Sequence, residues 1–239
     1  MTAHSGADRA ALGKNRSVDG ADLLFEQLPE EERRALRAAS RRRRFSKGDT
    51  IFFEGDPGDS LHVIEKGHVA IRVTSTLGDE VTLTVIGPRE SFGDQALTQP
   101  DARRSASAVC LDAVETLSVG RREFDDLRGR LPAVDRFLVA VLSAQVRRLS
   151  SQLLESLHTD ADVRVYRRIV QLTESYAGSA GDVVIPLTQD DIASLAGTTR
   201  QTVNQALKAA EQAGIVSLGR GRTTVHYPER LAKLARLRR

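Results

Sequence analysis

Four polar residues in one stretch of the chain could bind a small phosphorylated molecule. Gly93 and Asp94 interrupt a series of apolar runs, and Arg104 and Ser105 follow about ten residues later. A glycine lets backbone N–H groups approach an anion, an arginine holds a phosphate through two N–H groups, and a carboxylate accepts hydrogen bonds from hydroxyls. The set suits a ligand that carries both phosphate and hydroxyl groups. An ordinary surface loop is the alternative, because Gly-Asp turns and surface arginines are common.

A pattern typical of two short helices that cross closely begins at Gln189. Ala193 is a small residue at its fifth position and Gly197 stands at its ninth, between the apolar residues Ile192 and Val203. Small residues at these positions let the two helices approach each other, as a helix-turn-helix requires. A plain helical hairpin is the alternative, but the full pattern favours a DNA-binding unit.

Threonines stand where each of these two helices should begin. Thr188 can cap the first helix, with Asp191 as the acidic member of a capping box, and Thr198 or Thr199 can cap the second. In the major groove arginine suits guanine, and glutamine or asparagine suits adenine. The candidate DNA-contacting residues are Thr188, Thr199, Arg200, Gln201, Thr202, Asn204, Gln205 and Lys208.

The C-terminal end of the chain is basic. From residue 200 onward there are nine Lys and Arg against Glu211 and Glu229, whereas the whole chain has a net charge of only +3. Such a distribution predicts an anionic partner at this end. Residues 215–218 and 223–227 predict a β-hairpin wing whose Arg220 and Arg222 contact phosphates or a minor groove. Residues 229–239 predict a basic amphipathic helix, either packed on the wing or adding non-specific affinity for DNA.

Short β-branched runs separated by glycines occupy the region around the candidate anion site. Residues 50–53, 61–65, 69–74, 80–85 and 115–119 are the predicted strands. Strands of this length at such spacing predict a small sandwich or jelly-roll barrel. The arginine run at 41–44 suits a solvated strand edge better than a nucleic-acid site. A short helix is predicted at 122–130.

A long helix is predicted between these two parts, over residues 131–157, with Pro132 in its first turn. Apolar residues recur along it in alternating steps of three and four, which is a heptad seam. We interpret this seam as a dimer interface, although a surface helix packed on its own domain would also fit so short a pattern. The seam residues are Val139, Leu142, Val146, Leu149 and Leu153.

The rest of the chain is less informative. Residues 1–20 predict a mobile tail, residues 21–36 a helical region with Pro29 starting its second helix, and residues 183–187 a strand. Tyr166, Ile169, Leu172 and Tyr176 recur at helical spacing.

Composition limits the classes of function. The single cysteine, Cys110, excludes an intramolecular disulfide and a cysteine-ligated iron–sulfur cluster, and its alternating surroundings predict a buried strand residue. His62 and His68 have no second ligand at metal spacing, so we expect structural roles and no bound metal. The chain has no P-loop or hydrolase motif and is not expected to be an enzyme. Lacking a signal peptide or a long apolar run, it should be cytoplasmic and not membrane-bound.

Several motifs, in their order along the chain, resemble those of a known family. The residues of the candidate anion site, together with 52–55, 58, 61–63 and 67–69, resemble the cyclic-nucleotide-binding β-roll. With the long helix and the helix-turn-helix, residues 22–228 resemble the cyclic-AMP receptor protein/fumarate–nitrate regulator (CRP/FNR) superfamily of bacterial transcription factors. The implied fold is α+β: a β-roll sensor (21–130), a dimerisation helix (131–158) and a winged helix-turn-helix (159–239).

The resemblance also implies which residues contact the effector and the DNA bases. Gly93 and Ala96 would offer backbone groups, Arg104 and Ser105 would hold the cyclic phosphate, and Asp94, in place of the usual Glu, would take the ribose hydroxyl. Gln152 and Leu153 replace a hydroxyl pair that reads adenine. The implied effector-binding set is Gly93, Asp94, Gln95, Ala96, Arg104, Ser105, Arg148 and Gln152. Arg200, Gln201 and Gln205 would face base edges.

The sequence thus predicts a homodimeric DNA-binding regulator whose effector is cyclic AMP or cyclic GMP. Binding of the effector should close residues 93–105 against the long helix and bias a hinge near residues 157–162. The expected partners are a two-fold site on double-stranded DNA and RNA polymerase. Asp94 and Leu153 leave open a second reading, in which the β-roll binds another metabolite or nothing. A third, an architectural protein with little sequence preference, rests on the basic tail.

Overall fold

A computed structural model describes residues 29–76, 78–98, 101–177 and 181–236. The predicted tail at 1–20 and the first part of the helical region at 21–36 therefore lie largely outside the described residues. Its second part is α1 (Glu30–Ala39). The N-terminal strands are β1 (Arg41–Phe45), β2 (Thr50–Phe52), β3 (Ser60–Lys66), β4 (Val69–Thr74), β5 (Glu80–Ile86), β6 (Ser91–Phe92), β7 (Ser107–Cys110) and β8 (Val114–Gly120).

These strands form two antiparallel four-stranded sheets, in the orders β1-β8-β3-β6 and β2-β7-β4-β5. The five predicted strands are β2, β3, β4, β5 and β8. The arginine run forms β1 at the edge of its sheet, where Arg42 pairs with Glu65 and Arg44 with Glu115. The interpretation of a solvated strand edge is therefore confirmed, and exposed charges protect that edge from pairing with another chain.

The interior of the roll is mainly apolar, and His62 is buried in it. Cys110 is buried as predicted, in a cluster with Phe92 and Val69. His62 stacks on the Phe92 ring, with the ring centroids 5.1 Å apart, and its Nδ1 lies 3.1 Å from Thr116 Oγ1. His62 therefore has a structural role in the core.

Two helices follow the roll, α2 (Arg121–Arg130) and the 27-residue α3 (Pro132–His158). The first half of α3 is buried against the roll, where Phe137, Leu138 and Val141 pack with Leu61 and Val63. Its second half is amphipathic and exposes apolar residues to solvent, among them Leu149, Leu153 and Leu157. No helix in the described ranges, α3 included, is long and apolar enough to cross a membrane.

The C-terminal part consists of α4 (Ala161–Tyr176), β9 (Val183–Ile185), α5 (Gln189–Ala196), α6 (Arg200–Gln212), β10 (Val216–Gly219), β11 (Arg222–Val225) and α7 (Pro228–Leu234). Its sheet has the order β10-β11-β9. The predicted wing is present, and the C-terminal helix α7 ends at Leu234 and packs on α4, while residues 237–239 of the predicted helix lie outside the described residues. Apolar contacts hold α7 in this position, because Leu231 and Ala235 are buried in the same core as Ile169 of α4.

The two domains of the chain contact each other directly. Asp191 in the first turn of α5 accepts hydrogen bonds from Arg72 on β4 and Thr82 on β5, at 3.0 and 2.9 Å. His68, at the start of β4, stacks on Tyr176 at the end of α4, and its Nδ1 lies 2.9 Å from an Asp112 carboxylate oxygen. His68 is thus a structural residue, as expected, and it joins the roll to the C-terminal domain.

The buried environment of His62 gives the free energy of unfolding a specific pH dependence. Burial, reinforced by the positive charges of Arg104 and Arg43, lowers the pKa of His62 from 6.5 to about 4. Between these two values the unfolded chain binds a proton that the folded chain does not, so this group lowers stability by about 3 kcal/mol as the pH falls from 7 to 4. We expect His62→Gln to remove that part of the pH dependence, measured by urea unfolding at both pH values.

The exposed His158 provides the control for this measurement. His158→Gln should leave the difference between the two pH values as in the wild type. Equal pH dependence in the wild type and in His62→Gln would contradict the prediction.

Candidate functional site

The loop after β6 is shaped by Gly93 and by the arginine behind it. Gly93 has a φ of +83°, a conformation that favours glycine. A Cβ at this position would lie 2.6 Å from Arg104 Nη1 and 2.8 Å from the Ser60 carbonyl oxygen. The glycine is therefore required both by its backbone angle and by the close approach of the guanidinium. A 3-10 helix, Gln95–Leu97, follows it.

Arg104 is turned inward and is only 3% exposed. Its Nη1 donates to the backbone carbonyls of Ser60 and Gly93, at 2.8 and 3.1 Å, and its Nη2 donates to Ser60 Oγ and an Asp59 oxygen, at 2.9 and 3.1 Å. The guanidinium also lies 4.0 Å from the centre of the Phe52 ring, a cation–π contact. Four acceptors and an aromatic face compensate the buried positive charge.

The protein acceptors do not satisfy every N–H group of Arg104. Its Nε is buried and has no hydrogen-bond partner. Burial lowers the pKa of Arg104, and the Asp59 carboxylate opposes that shift. The Asp59 side chain is 79% exposed, so the carboxylate that pairs with this arginine stands at the solvent boundary. An incoming phosphate could therefore exchange with Asp59 without disturbing the interior.

Asp94 is the buried acid of the same loop, with 2% of its surface exposed. Gln145 of α3 donates its amide Nε2 to both carboxylate oxygens of Asp94, at 3.4 and 3.2 Å. Burial raises the pKa of Asp94, while the hydrogen bond from Gln145 and the charge of Arg148 oppose the shift. A ligand hydroxyl that donated to this buried carboxylate would approach the oxygens that Gln145 now occupies.

A chain of side-chain hydrogen bonds continues from Asp94 around the loop. Gln95 Nε2 donates to Gln145 Oε1 at 3.2 Å, and Ser105 Oγ donates to Gln95 Oε1 at 2.9 Å. The long helix thus contacts both the acid and the serine side of the loop through one glutamine. The loop and α3 are therefore already in contact.

The structure brings five of the expected effector-contacting residues into two adjacent hydrogen-bonded groups. Asp94, Gln95 and Ser105 are joined through Gln145, and Gly93 is joined to Arg104. Arg148 acts on Asp94 through its charge. Gln152 lies two turns of α3 beyond Gln145, about 10 Å along the helix axis. Gln145, Asp59 and Ser60 were not predicted; the order of the sequence contains no signal that places them against Asp94 and Arg104.

The helix-turn-helix has the predicted caps. Thr188 and Asp191 form a reciprocal capping box at the start of α5, and Thr199 caps α6 by accepting from the Thr202 N–H at 3.2 Å. Gly197 does not serve the close helix crossing that we expected of it, since a Cβ there would meet nothing within 4 Å. The glycine is favoured instead by its left-handed φ of +58°, which ends α5.

One face of α6 is buried and the other carries the candidate reading residues. Val203, Ala206, Leu207 and Ala210 form the buried face. Among the opposite side chains, Asn204 donates to Gln189 at 3.1 Å and Arg200 pairs with Asp190 at 3.3 Å. Thr202 is half-buried beside Thr199. The exposed candidates are Thr188, Thr199, Arg200, Gln201, Gln205, Lys208, Arg220 and Arg222.

Comparison with known proteins agrees with both halves of this description. Residues 42–130 match the family model of the cyclic nucleotide-binding domain, and residues 163–234 match that of the Crp-like helix-turn-helix domain. The first match contains the Gly93–Arg104 loop, and the second contains α5, α6 and the wing.

Full-length relatives show the same arrangement. The chain is 34% identical over 195 residues to a CRP-like cAMP-activated global transcriptional regulator of Mycobacterium tuberculosis, covering 80% of this chain and 87% of that protein. It is 33% identical over 218 residues to the cyclic AMP receptor protein of Thermus thermophilus, covering 91% of this chain and 98% of that protein.

A solved structure, the Thermus thermophilus catabolite activator protein, aligns with a TM-score of 0.51 at 32% identity, covering 89% of this chain and 97% of that one. These relatives and both domains are those of transcription regulators and not of enzymes. The chain therefore belongs to the CRP/FNR superfamily of bacterial transcription regulators, with a cyclic-nucleotide-binding domain followed by a Crp-like helix-turn-helix domain.

Proposed function

We propose that this regulator is a homodimer that binds a two-fold DNA site under the control of a cyclic nucleotide held between the Gly93–Ser105 loop and α3. The observation that carries the proposal is the pair of hydrogen bonds from Gln145 to Asp94. A ligand hydroxyl that donates to Asp94 competes with Gln145. Effector binding would thereby change the contact between the loop and the helix that leads to the DNA-binding domain.

The chemistry of the pocket favours an effector with one anionic group and a hydroxyl. Arg104 supplies the cation and its unpartnered Nε, Ser105 a hydroxyl, and Gly93 and Ala96 supply backbone groups. Cyclic AMP and cyclic GMP carry both groups, and two relatives are named for cyclic AMP. Arg148 and Gln152 on α3 are the proposed contacts to the rest of the nucleotide.

An exposed apolar face on α3 supports the homodimer. Val139, Val146, Leu149 and Leu153 of the predicted seam are each more than 60% exposed, and Leu142 lies between them in a shallow groove. Leu154 and Leu157 extend this face toward the end of the helix. A continuous apolar surface of this length is costly in water, and a second copy of α3 would cover it.

The dimer would present two copies of α6 to successive major grooves of DNA. Arg200, Gln201 and Gln205 are the proposed base-reading residues, with Thr188, Thr199 and Lys208 on phosphates and Arg220 and Arg222 on the wing. Thr202 and Asn204 would support them from the same helix. RNA polymerase is the further partner that membership of this superfamily suggests.

A second candidate function keeps the DNA binding but assigns no cyclic nucleotide to the roll. It is favoured by the burial of Arg104, whose Nη atoms already have four protein acceptors. In that case the guanidinium is a structural group that ties β3 to the loop. Leu153, which offers no hydrogen bond to a base, agrees with this candidate.

Titration calorimetry with cyclic AMP and then cyclic GMP distinguishes the two candidates. We expect saturable binding that Arg104→Ala weakens by roughly 10- to 100-fold, the value of a lost charge-assisted contact. Asp94→Asn, which keeps the size of the side chain, should weaken binding through the ribose hydroxyl alone.

The neighbouring Arg103 provides the matched control, because its guanidinium donates to the Gly55 carbonyl outside the Arg104 network. Arg103→Ala should bind as the wild type does. If neither nucleotide binds the wild-type protein, the second candidate is the correct one and the proposal for the effector fails.

The reading face of α6 predicts two different responses to mutation. Gln205→Ala should lose about 1–3 kcal/mol of discrimination at one base pair of each half-site, because it removes a base contact. Lys208→Ala should weaken all sequences alike and lower the salt dependence of binding by about one phosphate contact per protomer. Fluorescence anisotropy on an operator selected in vitro, at several salt concentrations, measures both.

If Lys208→Ala changed the base preference and Gln205→Ala weakened all sequences alike, Lys208 would be the base contact and Gln205 the phosphate contact. A wild-type protein that binds all duplexes equally, with a steep salt dependence, would support an architectural function instead.

A further inference from the structure

The junction between α3 and the DNA-binding domain is held by an ion cluster. Glu155, in the last turns of α3, accepts hydrogen bonds from Arg167 at 3.1 Å and from Arg168 at 2.7 Å, one on each carboxylate oxygen. The side chains of Glu155 and Arg168 are only 22% and 10% exposed. A carboxylate that bridges two guanidiniums and is largely shielded from water fixes direction better than an exposed salt bridge does.

The arginines of this cluster also hold the helices of the DNA-binding domain. Arg168 donates from Nε to the Leu195 carbonyl near the end of α5, and Arg167 donates from Nε to the Ala235 carbonyl after α7, each at 3.0 Å. Positive charge at a helix C-terminus is favourable, because unpaired carbonyls point there. Glu155 is thus joined through two guanidiniums to two helices of the domain that carries α6.

The backbone between α3 and α4 does little to fix the angle between these two helices. Thr159 and Asp160, between α3 and α4, have extended ψ angles of 134° and 144°, so the helix is interrupted there. Arg164 bridges the interruption, donating to the Thr159 carbonyl at 2.6 Å and to the Ala196 and Gly197 carbonyls at 2.9 Å. Because the helix is broken, side-chain contacts must set the angle between α3 and α4.

We infer that Glu155 is a positioning residue that fixes the separation of the two recognition helices, and hence the spacing of the DNA half-sites. This inference rests on the proposed dimeric, sequence-specific DNA binding, but not on any effector. In a two-fold dimer, any freedom between α3 and α4 appears twice, once in each protomer. Loss of the Glu155 carboxylate should therefore broaden the accepted spacing more than it weakens binding at the best spacing.

The test uses a two-fold operator selected from random duplex DNA with the wild-type protein. Variants of this operator have the central spacer lengthened or shortened by one base pair, and affinities are measured at one salt concentration. We expect Glu155→Gln to reduce the preference for the selected spacing by about three- to tenfold. Glu229→Gln, the same change of charge at an exposed position of α7, is the matched control and should keep the wild-type preference.

The outcomes are distinct. An unchanged spacing preference in Glu155→Gln, or an equal change in Glu229→Gln, would overturn the inference, as would a uniform loss of affinity at every spacing. If the wild-type protein selects no operator, the proposed function fails first and the inference falls with it.

A measurement without DNA provides a second readout. Spin labels on Gln212→Cys, exposed at the end of α6, report one distance between the protomers, while the buried Cys110 stays unlabelled. We expect Glu155→Gln to broaden the distance distribution. A distribution as narrow as that of the otherwise unchanged protein would contradict a positioning role for Glu155.

Discussion

The two environments along α3 are the constraint on which the rest of the molecule depends. Its first half is fixed to the roll by Phe137, Leu138 and Val141, while its second half leaves Leu149, Leu153 and other apolar residues exposed. Burial of an apolar side chain contributes about 1.5–3 kcal/mol. The first half therefore keeps a defined rotation against the roll, and that rotation decides which α3 side chains face the Gly93–Ser105 loop.

The charges of the effector pocket follow from this packing. Asp94 is buried because α3 covers it, and Gln145 is the group that the rotation of α3 brings to it. Arg104 is buried from the other side, under Phe52 and against the β3 backbone. The carboxylate of Asp94 and the guanidinium of Arg104 are therefore both buried, on opposite sides of one loop. In the proposed function, a ligand would replace one protein partner of each group.

Local features of the sequence predicted local structure well, and long-range contacts poorly. The capping box of Thr188 and Asp191 and the buried face of α6 depend on neighbours within a few residues, and both were predicted. Strand β1 was only partly recognised, because its four arginines do not show the alternation of apolar and polar residues that is typical of a strand. Strand β6 has only two residues, which are too few to show such a pattern. Gln145 and Glu155 escaped prediction because their roles depend on how α3 is rotated and where it ends. Asp59 escaped because its partner, Arg104, lies 45 residues further along the chain.

The pocket and the junction are coupled by the stiffness of a single helix. Gln145 and Glu155 lie ten residues apart on α3, about 15 Å along an uninterrupted axis. Under the proposed effector control, a change of tilt where Gln145 meets Asp94 would be carried along this helix to Glu155. Beyond Glu155 the helix ends at His158, and Arg167 and Arg168 join its last turns to α4. The chain thus combines a long helix with an ion cluster, and in the proposed mechanism the cluster is where a small movement of α3 would become a change in the position of α6.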